Sequence, residues 1–406
     1  MAALVRWLMI VALASFAMAN AVSAQTGGGA KVAVPSGVSY ERIDHWDAAR
    51  LNSILSDDAP AFFGVHVASA PAQNGVTLYR VTYPSVIPER GNRPTVATGL
   101  LAVPDTGGTV FPTLSYQHGT VYGKDEVPSF PDKSAETRLA LAVFGGQGYI
   151  VIGADYFGMG PSSEPEGYVV KASQSQAPFD MLLASRAVLD HLGVSSAKLF
   201  LGGWSQGGFV TMALLEKLEA SGVPVAAAAT ASAPVDGFAL ISGALDFPRK
   251  TDAPWLTTIV ILSAFSFENY YGVPGLAHSI INDAAYEASR KLYEREAVAV
   301  ADIPTDLRKL VRPDYFDPQF FAASAYGRLL AEKTHAYRWV VRTPVRNYYG
   351  EADEAIPTDL GRLAMTYQHA IGAGNTAVEA ISTGQTSHRG TYATAAPLWK
   401  AWFDGR

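Results

Sequence analysis

Along most of this chain, short runs dense in β-branched and aromatic residues alternate with longer stretches of helical spacing. Gly75 to Ile87, "GVTLYRVTYPSVI", predicts a strand, and "TVATGLLAVPD" from Thr95 predicts a second, with turn residues between them. "TVFPTLSYQHGT" from Thr109 has an apolar half and a polar, glycine-containing end. Ser134 to Gly148, "SAETRLALAVFGGQG", has helical spacing, a serine-led start and a glycine stop. "YIVIGADYFGMG" from Tyr149 is a continuous apolar run that ends in a glycine loop, the pattern of a parallel strand buried on both faces.

Gln174 to Gly193 is amphipathic and again ends in glycine. "AKLFLGG" predicts the next buried strand, Gly207 to Gly222 a helix, and "VAAAATASAPVDG" a strand of small residues. Strand, helix, strand, helix, strand predicts an α/β architecture, a mostly parallel sheet with helices on both faces. The rhythm breaks over 238–339, which holds helix-like segments and several aromatics, among them Trp255, Phe265, Phe267, Tyr270 and Tyr271. It resumes at "TPVRNYYGEADEAIP", Thr343 to Pro357, followed by a helix near Thr358, the strand "TAVEAISTG" and a last helix, "TYATAAPLWKAWF". The expected organisation is a core of 25–237 and 340–406, with 25–40 as a flexible leader and 238–339 as a largely helical cap or lid inserted into it.

With 406 residues, 49% hydrophobic and 17% charged, the chain can bury one large core. A net charge of −6 without a Lys/Arg cluster argues against a nucleic-acid partner. Cysteine is absent, which excludes disulfides and thiolate metal sites. Residues 1–24 have the pattern of an export signal: Arg6, the apolar run Trp7 to Ala19, and small residues at Val22 and Ala24 before a cleavage point. The expectation is a secreted or periplasmic protein. No later apolar run reaches the ~20 residues of a membrane span; Pro254 to Phe267 comes nearest.

"LFLGGWSQGGFV", Leu199 to Val210, carries the most specific chemistry. Gly203-Trp204-Ser205-Gln206-Gly207 alone is weak, because G-x-S-x-G arises by chance in roughly one chain in seven of this length. Its setting strengthens it. A buried strand precedes the serine, a helix follows, and glycines stand two before and two after, as a nucleophile elbow requires. Such a turn sets Ser205 above a helix N-terminus, whose dipole favours developing negative charge.

A serine hydroxyl needs a base at neutral pH. Of eight histidines, His388 in "STGQTSHRGTY" follows the last predicted strand, where α/β sheets place their chemistry. The base in turn needs a carboxylate to fix its tautomer. "YYGEADEAIP" offers Glu351, Asp353 and Glu354, and Asp353 is the choice by position. The oxyanion requires two backbone N–H donors. Gln206 supplies one; "YQHGT", Tyr116 to Thr120, supplies the other, with Thr120 favoured and Gly119 the alternative. His118 fits a structural role in that loop.

Five features in order give the chain its resemblance to the α/β-hydrolase superfamily, from about Gly75 to the C-terminus. "HG" follows a strand. "DYFGMGPS", Asp155 to Ser162, is similar to the family's D-x-R-G-x-G-x-S loop, with Phe157 in the place of its Arg. "GWSQGG" is the elbow, "GEADEAIP" is similar to G-x-x-D-x-x-V-P, and "SH" precedes the last helix. Together with the export signal and the long insertion, these resemble secreted bacterial lipases and esterases of the secretory-lipase type. The resemblance implies a carboxylic-ester hydrolase with a Ser205–His388–Asp353 triad, no metal or cofactor, and a small-molecule or lipid ester as substrate. A serine peptidase of the same fold, aminopeptidase-like, is the alternative.

Overall fold

The computed structural model describes residues 29–372 and 377–406. The export signal expected at 1–24 lies outside the described residues. Ten strands form one sheet in the order β1-β2-β3-β4-β6-β5-β7-β8-β9-β10. They are β1 (Val32–Ala33), β2 (Ser39–Trp46), β3 (Gly75–Ile87), β4 (Arg93–Asp105), β5 (Val110–Gln117), β6 (Ile150–Ala154), β7 (Ser195–Trp204), β8 (Ala227–Ala231), β9 (Val345–Tyr349) and β10 (Val378–Ser382). Neighbours from β1 to the β4–β6 pair run antiparallel. From β6 through β10 every pair is parallel.

Two expectations change here. The sheet is mixed, because β3 and β4 form a long hairpin joined by a tight turn at Pro88–Arg90, and a short connection can only return antiparallel. Of the leader expected over 25–40, residues 25–28 lie outside the described residues and part of the rest joins the sheet. Val32–Ala33 pairs with Tyr40 and Ser39, and Tyr40 is buried in β2. "SYERIDHW" mixes charge with aromatics because β2 lies toward the sheet edge, where only alternate positions meet the core.

Helices cover both faces. On one side lie α1 (Ala135–Val143) and, at the chain end, α9 (His388–Asp404). On the other lie α2 (Lys171–Leu192), α3 (Gln206–Ala220) and α8 (Thr358–Ala370). Successive strand residues serve opposite layers, as a period of two demands: Leu100 and Leu101, Val151 and Ile152, Phe200 and Leu201 divide between the two apolar layers.

Between β8 and β9 the chain leaves the sheet for helices α4 (Gly237–Asp246), α5 (Leu256–Tyr271), α6 (Asp283–Tyr293) and α7 (Ala325–Lys333), with shorter turns between them. The apolar run at Pro254–Phe267 becomes α5. Of its 16 residues, 13 are buried, so it is apolar all round because protein surrounds it. Among the described residues no helix is long and apolar enough to cross a membrane.

Candidate active site

The strand β7 ends at Trp204 and α3 begins at Gln206, leaving Ser205 alone in the turn. Its φ of 56° and ψ of −123° are sparsely populated for any residue with a Cβ, and such strain persists only where the surroundings enforce it. Here the neighbours do so by close packing. A Cβ on Gly203 would stand 2.3 Å from the Gly207 carbonyl oxygen, and one on Gly207 would stand 2.0 Å from that of Gln117. Only glycine lets β5, β7 and α3 approach this closely. The Ser205 amide donates to Ala231 O at 2.9 Å, which locks the turn onto β8.

His388 Nε2 lies 2.9 Å from Ser205 Oγ, and both side chains are buried. His388 Nδ1 faces both oxygens of Asp353 at 3.1 Å. The sequence suggested a loop for His388; the structure makes it the first residue of α9, with Ser387 as its N-cap. A helix start leaves its first amides without intrahelical acceptors. That of His388 donates to Glu354 Oε2 at 2.9 Å, and its carbonyl accepts from Trp204 Nε1 at 3.0 Å. The Trp204 ring also stacks on Tyr392 and lies 5.1 Å from the imidazole, so the residue before Ser205 braces the histidine.

Asp353 follows β9 and is held from all sides. Oδ1 accepts the amides of Ala355 and Ile356 at 2.8 Å, and Oδ2 accepts the Ser232 hydroxyl at 2.6 Å. Burial alone would push its carboxyl up. His388 and these donors outweigh that and hold it below the usual carboxylate range. Glu351 instead bonds Ser382 and Gln385 at the surface, away from the histidine.

The two amides expected at the oxyanion differ from their alternative. Gln206 opens α3, so its N–H has no carbonyl one turn back. The Thr120 N–H has no partner among the described residues. Gly119 is different: its N–H donates to Glu136 Oε2 at 2.7 Å and is therefore committed elsewhere. His118 is buried with its ring stacked on Tyr156, 4.1 Å between centroids. Its two nitrogens face the carbonyls of Gly119 and Asp155. Burial lowers it to about 4 against the pull of these two carbonyls, only one of which a neutral ring can bond.

The loop after β6 keeps its anchor although Phe157 replaces Arg. Asp155 Oδ1 accepts the Ser129 amide and Oδ2 the Thr98 hydroxyl, while Phe157 packs into the core. Two residues of the site carried no signal in the sequence. Ser232, at φ 49°, lies after β8 in a small-residue run, and Glu136 reads as an ordinary first-turn acid of α1.

A narrow cleft opens at Ser205. Tyr168 and Phe209 line it from the core side. Leu240, Ile241, Trp255, Ile259 and Leu330 line it from the helices between β8 and β9. The Trp255 ring lies 5.6 Å from that of His388.

No protein-family model and no curated protein sequence matches the chain. Solved structures do. A putative hydrolase from Legionella pneumophila superposes with a TM-score of 0.79 at 21% identity, over 92% of this chain and 97% of that one. The rice cell wall degrading esterase LipA from Xanthomonas oryzae gives 0.72 at 20% identity, over 92% and 96%. Candida antarctica lipase A in its closed state gives 0.61 at 16% identity, over 90% and 82%. The chain has the fold of these proteins, and it resembles the α/β-hydrolases to which its motifs pointed.

Proposed function

We propose that this chain is a serine hydrolase of carboxylic esters, working through Ser205, His388 and Asp353. The observation that carries the reading is the aligned contact of Ser205 Oγ with His388 Nε2 at 2.9 Å, backed by Asp353 on Nδ1. Ser205 Oγ attacks the ester carbonyl while His388 Nε2 takes its proton. The C–O bond to the alcohol then breaks, and His388 returns the proton to the departing oxygen. Water repeats the sequence on the acyl-enzyme and releases the acid. Asp353 keeps the Nδ1–H tautomer and stabilises the imidazolium. The N–H groups of Gln206 and Thr120 bind the oxyanion. This chemistry is supplied by side chains and backbone alone.

The helices between β8 and β9 act as the cap. Their apolar side chains in the cleft favour an apolar acyl or aryl group beside Ser205. Among the described residues, those lining the cleft include no carboxylate to hold a substrate amine, which favours an ester over an aminopeptidase substrate. The pattern of residues 1–24 supports export, and hence a secreted or periplasmic enzyme. Ser205→Ala should abolish turnover of a short p-nitrophenyl ester; retention of most of the activity would refute the assignment.

A further inference from the structure

Glu136 is an acid that the chemistry above does not use, yet it lies at the centre of the site's wiring. It belongs to the first turn of α1 and is buried. A single oxygen, Oε2, accepts both the Gly119 N–H at 2.7 Å and the Tyr116 hydroxyl at 2.8 Å. Tyr116 ends near the top of β5, and Gly119 immediately precedes Thr120. A Cβ on Gly119 would come within 3.1 Å of both Glu136 Oε1 and Trp204 O, so the backbone there has little room to shift. We propose that Glu136 is a positioning residue: its carboxyl fixes the His118–Gly119 peptide, the one immediately before the peptide that carries the Thr120 N–H, and so sets where that N–H meets the oxyanion.

This rests on the hydrolase reading of the site and adds a residue to it. The segment has other ties, from Tyr156 OH to His118 O and from Thr120 Oγ1 to Tyr168 OH. The Tyr156 hydroxyl and Glu136 grip the two ends of the His118–Gly119 peptide, and His118 Nδ1 faces the Gly119 carbonyl of the next one. Glu136 is the carboxyl in this set, and an oxyanion donor has to be aimed within a few tenths of an ångström.

The charge on Glu136 is adjustable. Burial pushes the carboxyl up to about 7, against the pull of Gly119, Tyr116, His388 and Arg389. The groups that face it are Tyr116 from β5, Tyr156 after β6, and His388, Arg389 and Tyr392 from α9; the Tyr392 hydroxyl bonds the Glu136 carbonyl. Above that pH, a charged oxygen accepts both hydrogen bonds strongly. Below it, a neutral acid accepts them more weakly.

The test compares wild type, Glu136→Gln and Glu136→Ala on a p-nitrophenyl ester between about pH 6 and about pH 8. A trifluoromethyl ketone, which forms a tetrahedral oxyanion on the serine, serves as a second probe. Glu136→Ala should lower kcat by roughly 30- to 300-fold with KM changed less than about threefold. Glu136→Gln, which keeps an acceptor, should recover to within roughly tenfold of wild type. The ratio of wild-type to Gln kcat should grow as pH rises through 7. Ketone affinity should fall in step with kcat/KM. If Glu136→Ala does not fold, the Gln ratio and its pH dependence decide. A ratio near one and flat with pH, or a loss confined to KM, overturns the proposal alone. A wild type without ester turnover overturns it together with the reading of the site.

Discussion

At the scale of single residues, the site depends on atoms that have no room to move. The Gly207 position is the sharpest case: the obstacle to a Cβ is backbone, at 2.0 Å, rather than the tip of a flexible side chain. Gly207→Ala should therefore cost about 3 kcal/mol or more, read as a fall in the urea midpoint, and should displace Ser205. Asp353→Asn should leave the fold and KM near wild type. Its kcat should drop by roughly 10³- to 10⁴-fold, because an amide favours the wrong histidine tautomer. Ser205, His388 and Asp353, which the structure brings into contact, were legible in the sequence because each stands just past the end of a strand in a recognisable spacing. Glu136 and Ser232 were not. An acid in a first helical turn ordinarily interacts with the helix dipole, and nothing local announces that it reaches a glycine 17 residues back. Trp204 was equally silent. Its bond to the His388 carbonyl spans 184 residues of chain.

Among the elements, the parallel half of the sheet was readable because buried strands are continuous apolar runs. β2 was not, since half of its positions face away from the core and carry charge. The insertion between β8 and β9 was visible as helix-like segments in a gap in the strand rhythm, but not how it is held. The structure shows how they are fastened. Arg295 after α6 pairs with buried Glu166 at 2.5 Å and donates to the Tyr122 carbonyl, two residues beyond Thr120. The Tyr293 and Ser266 hydroxyls both donate to the Glu166 carbonyl, and the Tyr270 hydroxyl donates to that of Pro165. Near Asp353, the Ala253 amide donates to Glu354 O and Arg249 donates to Asp353 O. Removing one member of the ion pair strands a buried charge. Arg295→Ala should cost about 3–5 kcal/mol by urea unfolding, and Arg295→Met with Glu166→Leu should recover most of it. Fastenings this dense also predict kinetics. Hydrolysis of tributyrin should rise smoothly across its solubility limit; a jump in rate when droplets form would show that these helices swing away.

For the whole molecule, the buried carboxyl of Glu136 links stability to pH. Its folded value, about 7, lies above the ordinary 4.5. The folded state thus binds the proton more tightly than the unfolded chain between those limits, and stability falls as pH rises through them. The effect is on the order of 3 kcal/mol. Asp353 acts in the opposite sense. Its carboxyl is depressed, so its contribution is present above the ordinary 3.8 and is lost only in stronger acid. His118, held near 4 against an ordinary 6.5, works the other way below about pH 6.5, so the melting temperature should decline mainly from about pH 6.5 to about pH 8. Glu136→Gln should flatten that decline, and a slope unchanged by the substitution would remove Glu136 as its source.

The account stands on Ser205 as the atom that takes the acyl group, and trapping that species tests it most directly. The protein, mixed with a p-nitrophenyl ester and quenched in acid within the first turnover, is digested with trypsin and weighed. The peptide Leu199–Lys217 should carry the mass of one acyl group on Ser205, and Ser205→Ala should show neither adduct nor p-nitrophenol release. An acyl group on any other residue, or turnover that survives Ser205→Ala, would contradict the mechanism.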